Sequence, residues 1–238
     1  MRRWLALAAV PAVVLAAVAV LSAGAAPTAV PGECKGLQRC VPVAGPWVVV
    51  PGRLALPRQQ VSFQLSCPRG YIVGGLAAQV SDRAVDIQFL GSLGSPVTPG
   101  TTTSRTALFL ATYVGTRGGS PTFRPRIGCM PSSGGGGRVQ TARILPAAKP
   151  TVRRATTLRV RAGAQRVVLG CAKGERLVSG WHAVGFRTAQ PPDPEFVGAV
   201  SASHAFRAGR VVVSARGTTA VRAVPAVVQA GALCSRVN

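Results

Sequence analysis

Downstream of residue 25 the apolar positions of this chain recur at every second place, not every third or fourth. Leu54 and Leu56, then Val61, Phe63 and Leu65, are each separated by a single residue, the period of a strand with one buried face. The pattern returns about a hundred residues later in Leu158 and Val160, then Val167 and Leu169. Further extended stretches are predicted at Ala84 to Leu90, Thr106 to Val114, Pro194 to Val200, Arg210 to Ala215 and Ala226 to Leu233. Between them lie Pro/Gly clusters such as GSLGSPVTPG and TRGGSP, spaced like the turns of an antiparallel protein. With no long 3.6-residue period after residue 25, the predicted fold class is all-β.

One stretch occurs twice. CPRGYIVGG, Cys67 to Gly75, returns as CAKGERLVSG, Cys171 to Gly180, and a second cysteine follows each at similar distance, Cys129 after 62 positions and Cys234 after 63. Sliding the chain by 104 positions pairs Arg39 with Arg143, Pro42 with Pro146, Val48 with Val152, Leu54 with Leu158 and Leu65 with Leu169. Nine of the 32 pairs from 39 to 70 are identical, and their unbroken register, more than the count, argues for duplication. One inserted residue then moves the offset to 105, pairing Val73 with Val178, Gly75 with Gly180 and Cys129 with Cys234. The expected organisation is two tandem antiparallel β-sandwich-like domains at 39–131 and 143–238, joined by a Gly-rich linker at 132–142.

The cysteines follow from the repeat. Equivalent positions make equivalent bonds, which pairs Cys67 with Cys129 and Cys171 with Cys234 and leaves Cys34 with Cys40 as a short loop in an N-terminal segment at 26–38. An even number of cysteines, all so paired, is the usage of an oxidising compartment. No metal site is expected: there is no CxxC, and the only histidines, His182 and His204, are not at ligand spacing from two cysteines.

The first 25 residues agree with export. Arg2 and Arg3 precede an apolar run from Leu5 to Leu21 and a small-residue stretch, Ala23-Gly24-Ala25, the three parts of a signal peptide over 1–25. The competing reading is an uncleaved membrane anchor, since the apolar run reaches the lower limit of a spanning helix. Pro11 and the small-residue tail favour cleavage. The expected location is therefore secreted or on the exterior of the cell envelope.

The string CPRGYIVGG, with an apolar strand before it and a cysteine in a terminal strand some 60 residues after it, resembles a CPxGxxxGG motif of exported actinobacterial disulfide-bonded β-domain proteins of uncharacterised function. The resemblance spans both units and implies a disulfide-bonded β fold and secretion; it supplies no catalytic residues. The second copy departs from it, with Ala172 at the proline and Ser179 at the first glycine. On physical grounds Gly70 and Gly174 suit a sharp turn with positive φ. Gly74, Gly75 and Gly180 suit a strand that bends or approaches another backbone. A phosphate-binding glycine loop is the rival reading, but the following helix and Lys-Ser/Thr it requires are absent from the sequence, which favours the turn.

Charge adds a functional clue. The chain has 28 Lys and Arg against 6 Asp and Glu, a formal +22. Arginine outnumbers lysine 25 to 3, which GC-rich coding explains by itself, but such coding supplies acids readily and leaves their scarcity unexplained. A surface so basic attracts polyanions. The densest cluster, Arg153, Arg154, Arg159, Arg161 and Arg166, is the candidate polyanion-binding set. Arg159 and Arg161 would share the face opposite Leu158 and Val160 in a strand, and guanidinium forks suit phosphate and carboxylate oxygens. Arg124 and Arg126 form a similar pair.

The expected partners are an anionic cell-wall polymer or lipid headgroups, or an extracellular protein. Nucleic acid is not favoured, because aromatics, the stacking platforms of single-strand binders, are only 5% of residues. No small-molecule substrate or cofactor is evident. His182 or His204 with Asp193 or Glu195 and a serine would make a hydrolase, but no ordered signature such as GxSxG is present. Asp82 and Asp86, four apart in an expected strand, would share a face, and salt bridging is the simpler role for them. The reading is a non-enzymatic polyanion-binding protein, with a structural or protein-interaction module as the alternative.

Overall fold

The structure, a computed structural model, describes residues 32–52, 59–90, 105–116, 118–132 and 151–236. A 3-10 turn at Gly32–Cys34 is followed by β1 (Val41–Ala44), β2 (Trp47–Val49), β3 (Val61–Ser66), β4 (Tyr71–Val80), β5 (Val85–Leu90), β6 (Thr106–Tyr113) and β7 (Thr122–Pro131). After the expected linker come β8 (Thr151–Arg159), β9 (Gly163–Gly170), β10 (Glu175–Phe186), the short α1 (Pro194–Gly198), β11 (Val200–Arg207), β12 (Arg210–Gly217) and β13 (Ala226–Arg236). The fold is mostly β, as the alternation predicts, and its pairings are antiparallel.

One expected strand is a helix. Pro194–Gly198 is α1, with Asp193 at the N-cap position and proline in the first turn, where its fixed φ and missing N–H suit a helix start. Asp82 is likewise not in a strand: it occupies the bend before β5, where its carboxylate accepts from the Ala84 N–H at 2.8 Å and the Tyr113 hydroxyl at 3.3 Å. It therefore shares no strand face with Asp86, and neither acid is in a salt bridge among the described residues. The predicted strand at Leu54 and Leu56 lies outside the described residues, as does most of the linker.

A seven-stranded sheet runs through the molecule. β4 lines one edge of β7; β1 and β2, end to end, line the other; β2 then meets β10, which is followed by β13 and β8. The junction is short, Val48 opposite Gly185 and Trp47 opposite Phe186, but it places strands from both sides of the linker in one sheet. The first core lies between this sheet and the three-stranded sheet β3-β6-β5: Phe63, Phe109 and Tyr113 meet Val48, Val73, Phe123 and Ile127. The second lies between β10-β13-β8 and the hairpin β11-β12: Phe186, Val228 and Ala230 meet Val200, Val211 and Val213. β9 lies beside β12, with a bridge from Ala162 to Gly217 at one end and the Arg210 side chain against Gly170 at the other.

The opposite face of the second-half strands is also covered. Buried Gln229 on β13 accepts from the Gln64 N–H at 2.7 Å and donates to the Gln64 carbonyl at 2.9 Å. Its side-chain amide thus acts as a strand partner for the free edge of β3. Ala183 of β10 joins the first core from the same side.

All three expected disulfides are formed, Cys34–Cys40, Cys67–Cys129 and Cys171–Cys234. Cys67 follows β3 and Cys129 lies in β7, so that bond ties the two sheets around the first core; Cys171 after β9 and Cys234 in β13 do the same for the second. Closing some 60 residues is worth about 4 kcal/mol in the chain-entropy account. Turns before β4 and β10 place Gly70 and Gly174 at φ 80° each, with Tyr71 N–H bonded to the Pro68 carbonyl and Glu175 N–H to the Ala172 carbonyl.

Both cysteine-bearing ladders contain a bulge. Val73 faces Cys129 and Gly75 faces Gly128; Leu177 faces Cys234 and Ser179 faces Leu233. Val73 and Leu177 therefore hold the same place, so the 104 offset continues through this strand and the extra residue falls later than the pairing of Val73 with Val178 assumes. Val178 is the bulged residue, and it is exposed.

Candidate anion-binding face

The five predicted arginines do not form one face. Arg154 is engaged by the protein itself, its guanidinium bidentate on the Glu175 carboxylate at 2.9–3.1 Å. Arg153, on the other face of β8, is half-buried against the first half, with Nη2 donating to the Leu90 carbonyl at 3.5 Å and Nε without a hydrogen-bond partner. Burial pulls its pKa below the ordinary value. Arg159 and Arg161 are exposed, and Val160 between them is buried, as the alternation predicts. However, β8 ends at Arg159, and Arg161 lies in the crossover to β9. Arg126 is paired with buried Glu33 at 2.8 Å, and Arg124 donates to the carbonyls of Gly45 and Ala189.

Arg166 alone joins a larger group. In β12, Val211, Val213 and Ala215 point into the second core, so Val212, Ser214 and Arg216 point away from it. The β11–β12 register places Ser203 opposite Ser214, Ser201 opposite Arg216, and Arg207 opposite Arg210 on that outward face. Arg166 of β9 completes it: one groove of about 440 Å³ is lined by Arg166, Arg216, Ser201, Ser203 and Ser214. A hollow of about 150 Å³ beside it is lined by Arg166, Arg207, Ser203, His204 and Ser214. Neither lining contains an Asp or Glu. Arg207 and Arg210 flank the two-residue turn Ala208-Gly209, both at positive φ, 48° and 70°, the conformation of a type I′ hairpin.

Two like charges directly opposite each other on a sheet destabilise it unless something negative lies between them. Arginines with interleaved hydroxyls supply many donors and no carboxylate competitor, an arrangement suited to phosphate, sulfate or carboxylate groups. The sequence pointed elsewhere because Arg207, Arg210 and Arg216 are dispersed around the hairpin, and only the cross-strand register gathers them with Arg166.

The histidines lie on the core side of the same hairpin. His182 of β10 and His204 of β11 approach with Nδ1 atoms 2.7 Å apart, so one ring donates to the other. They line an open cleft of about 940 Å³ with Trp181, Gln59, Gln60, Ser62 and Ser203. The His182 pKa is lowered, first by burial and then by the charge of His204, against a hydrogen bond to the Ala202 backbone that raises it. A hydrolase would need a carboxylate beside one of these rings; the cleft lining has none. Trp47 is buried and Trp181 half-buried over Gly231, so both are packing residues. Among the described residues, one group of three or more potential ligands has metal-ligand spacing, Cys171, Glu175 and Cys234, and both its thiols are consumed in a disulfide. Comparison with known protein families, curated proteins and solved structures found no match for the chain.

Proposed function

We propose that this chain is an exported, non-enzymatic protein that binds an anionic polymer of the cell surface through the outward face of β9, β12 and β11. The observation that carries the reading is the acid-free lining of Arg166, Arg207 and Arg216 with Ser201, Ser203 and Ser214, with Arg210 opposite Arg207 at the hairpin end. Three of the six acids are put to structural use elsewhere: Glu33 holds Arg126, Glu175 holds Arg154, and Asp82 closes a turn. Three disulfides fit an oxidising extracellular compartment, and no helix among the described residues is long and apolar enough to cross a membrane. The N-terminal signal-peptide pattern supports export. Descent of the two halves from one duplicated unit is supported by their equivalent disulfides, equivalent bulges and glycine turns of equal φ.

Retention of the refolded, oxidised protein on purified anionic envelope polymer across a salt series tests this. The triple variant Arg166→Gln, Arg207→Gln, Arg216→Gln is compared with a charge-matched control, Arg83→Gln, Arg159→Gln, Arg161→Gln. The face variant should elute at clearly lower salt than the control, because local contacts and not net charge then set the affinity. Equal losses would leave only a diffuse basic surface and end the site assignment. Retention unchanged in both would remove polyanion binding and favour a protein partner.

A further inference from the structure

We propose that His182 and His204 form a site for a late first-row divalent metal ion, Cu2+ foremost, opening into the cleft between β10 and β11. The two Nδ1 atoms, 2.7 Å apart, converge from different sheets. Two imidazole nitrogens bound to one ion at about 2.0–2.1 Å each stand roughly 3 Å apart. The rings now meet head-on, with centroids 5.0 Å apart, so an ion would sit beside the Nδ1–Nδ1 line after a turn of the exposed His204 ring that aims its lone pair there. β11 is an edge strand of its hairpin sheet and leaves room for that turn.

The surroundings favour this chemistry. Two imidazoles with no carboxylate in the cleft lining select Cu2+, Ni2+ or Zn2+ and reject Mg2+ and Ca2+, which need oxygen donors. The remaining coordination positions face the cleft, where Gln59, Gln60 and Ser62 leave space for water or an anion. Arg166 and Arg207 line a hollow on the outward side of His204, across β11 from its ring, so their charge weakens the binding of a dication only through the strand. The inference stands apart from the anion-face reading, since its ligands point to the other side of β11.

Titration of the refolded, oxidised full chain with Cu2+ in a non-coordinating buffer, followed by electron paramagnetic resonance and tryptophan fluorescence, tests it. One Cu2+ per chain with coupling to two nitrogens is expected, undisturbed by excess Mg2+ or Ca2+. His204→Gln should weaken it at least about tenfold, as loss of one of two ligands requires. His204 is exposed, so its replacement leaves the fold intact, which metal-free circular dichroism verifies, and this variant decides even if His182→Gln fails to fold. Cu2+ bound equally by His204→Gln, or no binding by the unaltered chain at about 100 μM, would overturn the site.

Discussion

Ala208 illustrates how single residues carry the local cost of this fold. It closes the β11–β12 hairpin at φ 48°, a left-handed conformation that costs a Cβ-bearing residue roughly 1 kcal/mol. Asparagine tolerates it better and is preferred at the first position of such turns. Ala208→Asn should therefore raise the unfolding free energy by about 0.5–1 kcal/mol in urea denaturation; an unchanged midpoint would mean the turn is not strained.

His182 makes a second prediction at this scale. Its folded pKa lies below the unfolded value of 6.5, so as pH falls through 6.5 the unfolded chain takes up the proton first. The stability from the neutral buried ring is thus present above that pH and lost below it, until the folded group also protonates. In chelator, stability measured from pH 7.5 to 5 should fall more steeply for the unaltered chain than for His182→Gln. Identical slopes would remove this role.

Among the elements, β3 and β13 are joined by one side chain. Gln229 satisfies both backbone groups of Gln64 across the contact between the halves, so Gln229→Leu keeps most of the volume but leaves a buried N–H and carbonyl unpaired. A loss of about 2–4 kcal/mol is expected by calorimetry or denaturant, and a loss below about 1 kcal/mol would show that water replaces the amide. The alternation read from sequence found β3, β5, β6, β9, β12 and β13, whose apolar faces each meet a core. It did not mark out β4 and β10, where a bulge breaks the period, nor β11, whose serines, alanines and His204 carry little apolar signal.

For the whole molecule, the shared sheet and the Gln229 contact predict that the halves do not melt apart. Calorimetry should show one transition with calorimetric and van't Hoff enthalpies equal. Cleavage at a protease site engineered into 132–142 should leave two fragments that co-elute. Two resolved transitions, or separating fragments, would mean that the β2–β10 junction and the Gln64–Gln229 bonds contribute little.

Period-two patterning, an even set of repeat-spaced cysteines and glycines at turn positions are local or self-aligning signals, and they determined the β class, all three disulfides and the Gly70 and Gly174 turns. What only the tertiary structure decided depends on which strands become neighbours. Pairing of β2 with β10 placed both halves in one sheet, Glu175 claimed Arg154, and the first half covered Arg153. The register of β11 on β12 brought Arg207, Arg210 and Arg216 to one face with Arg166, and the packing of that hairpin on β10 brought His182 to His204. Arg154 and Glu175, 21 positions apart, and His182 and His204, 22 apart, meet through strand register and sheet packing, and no local pattern in the chain encodes those contacts.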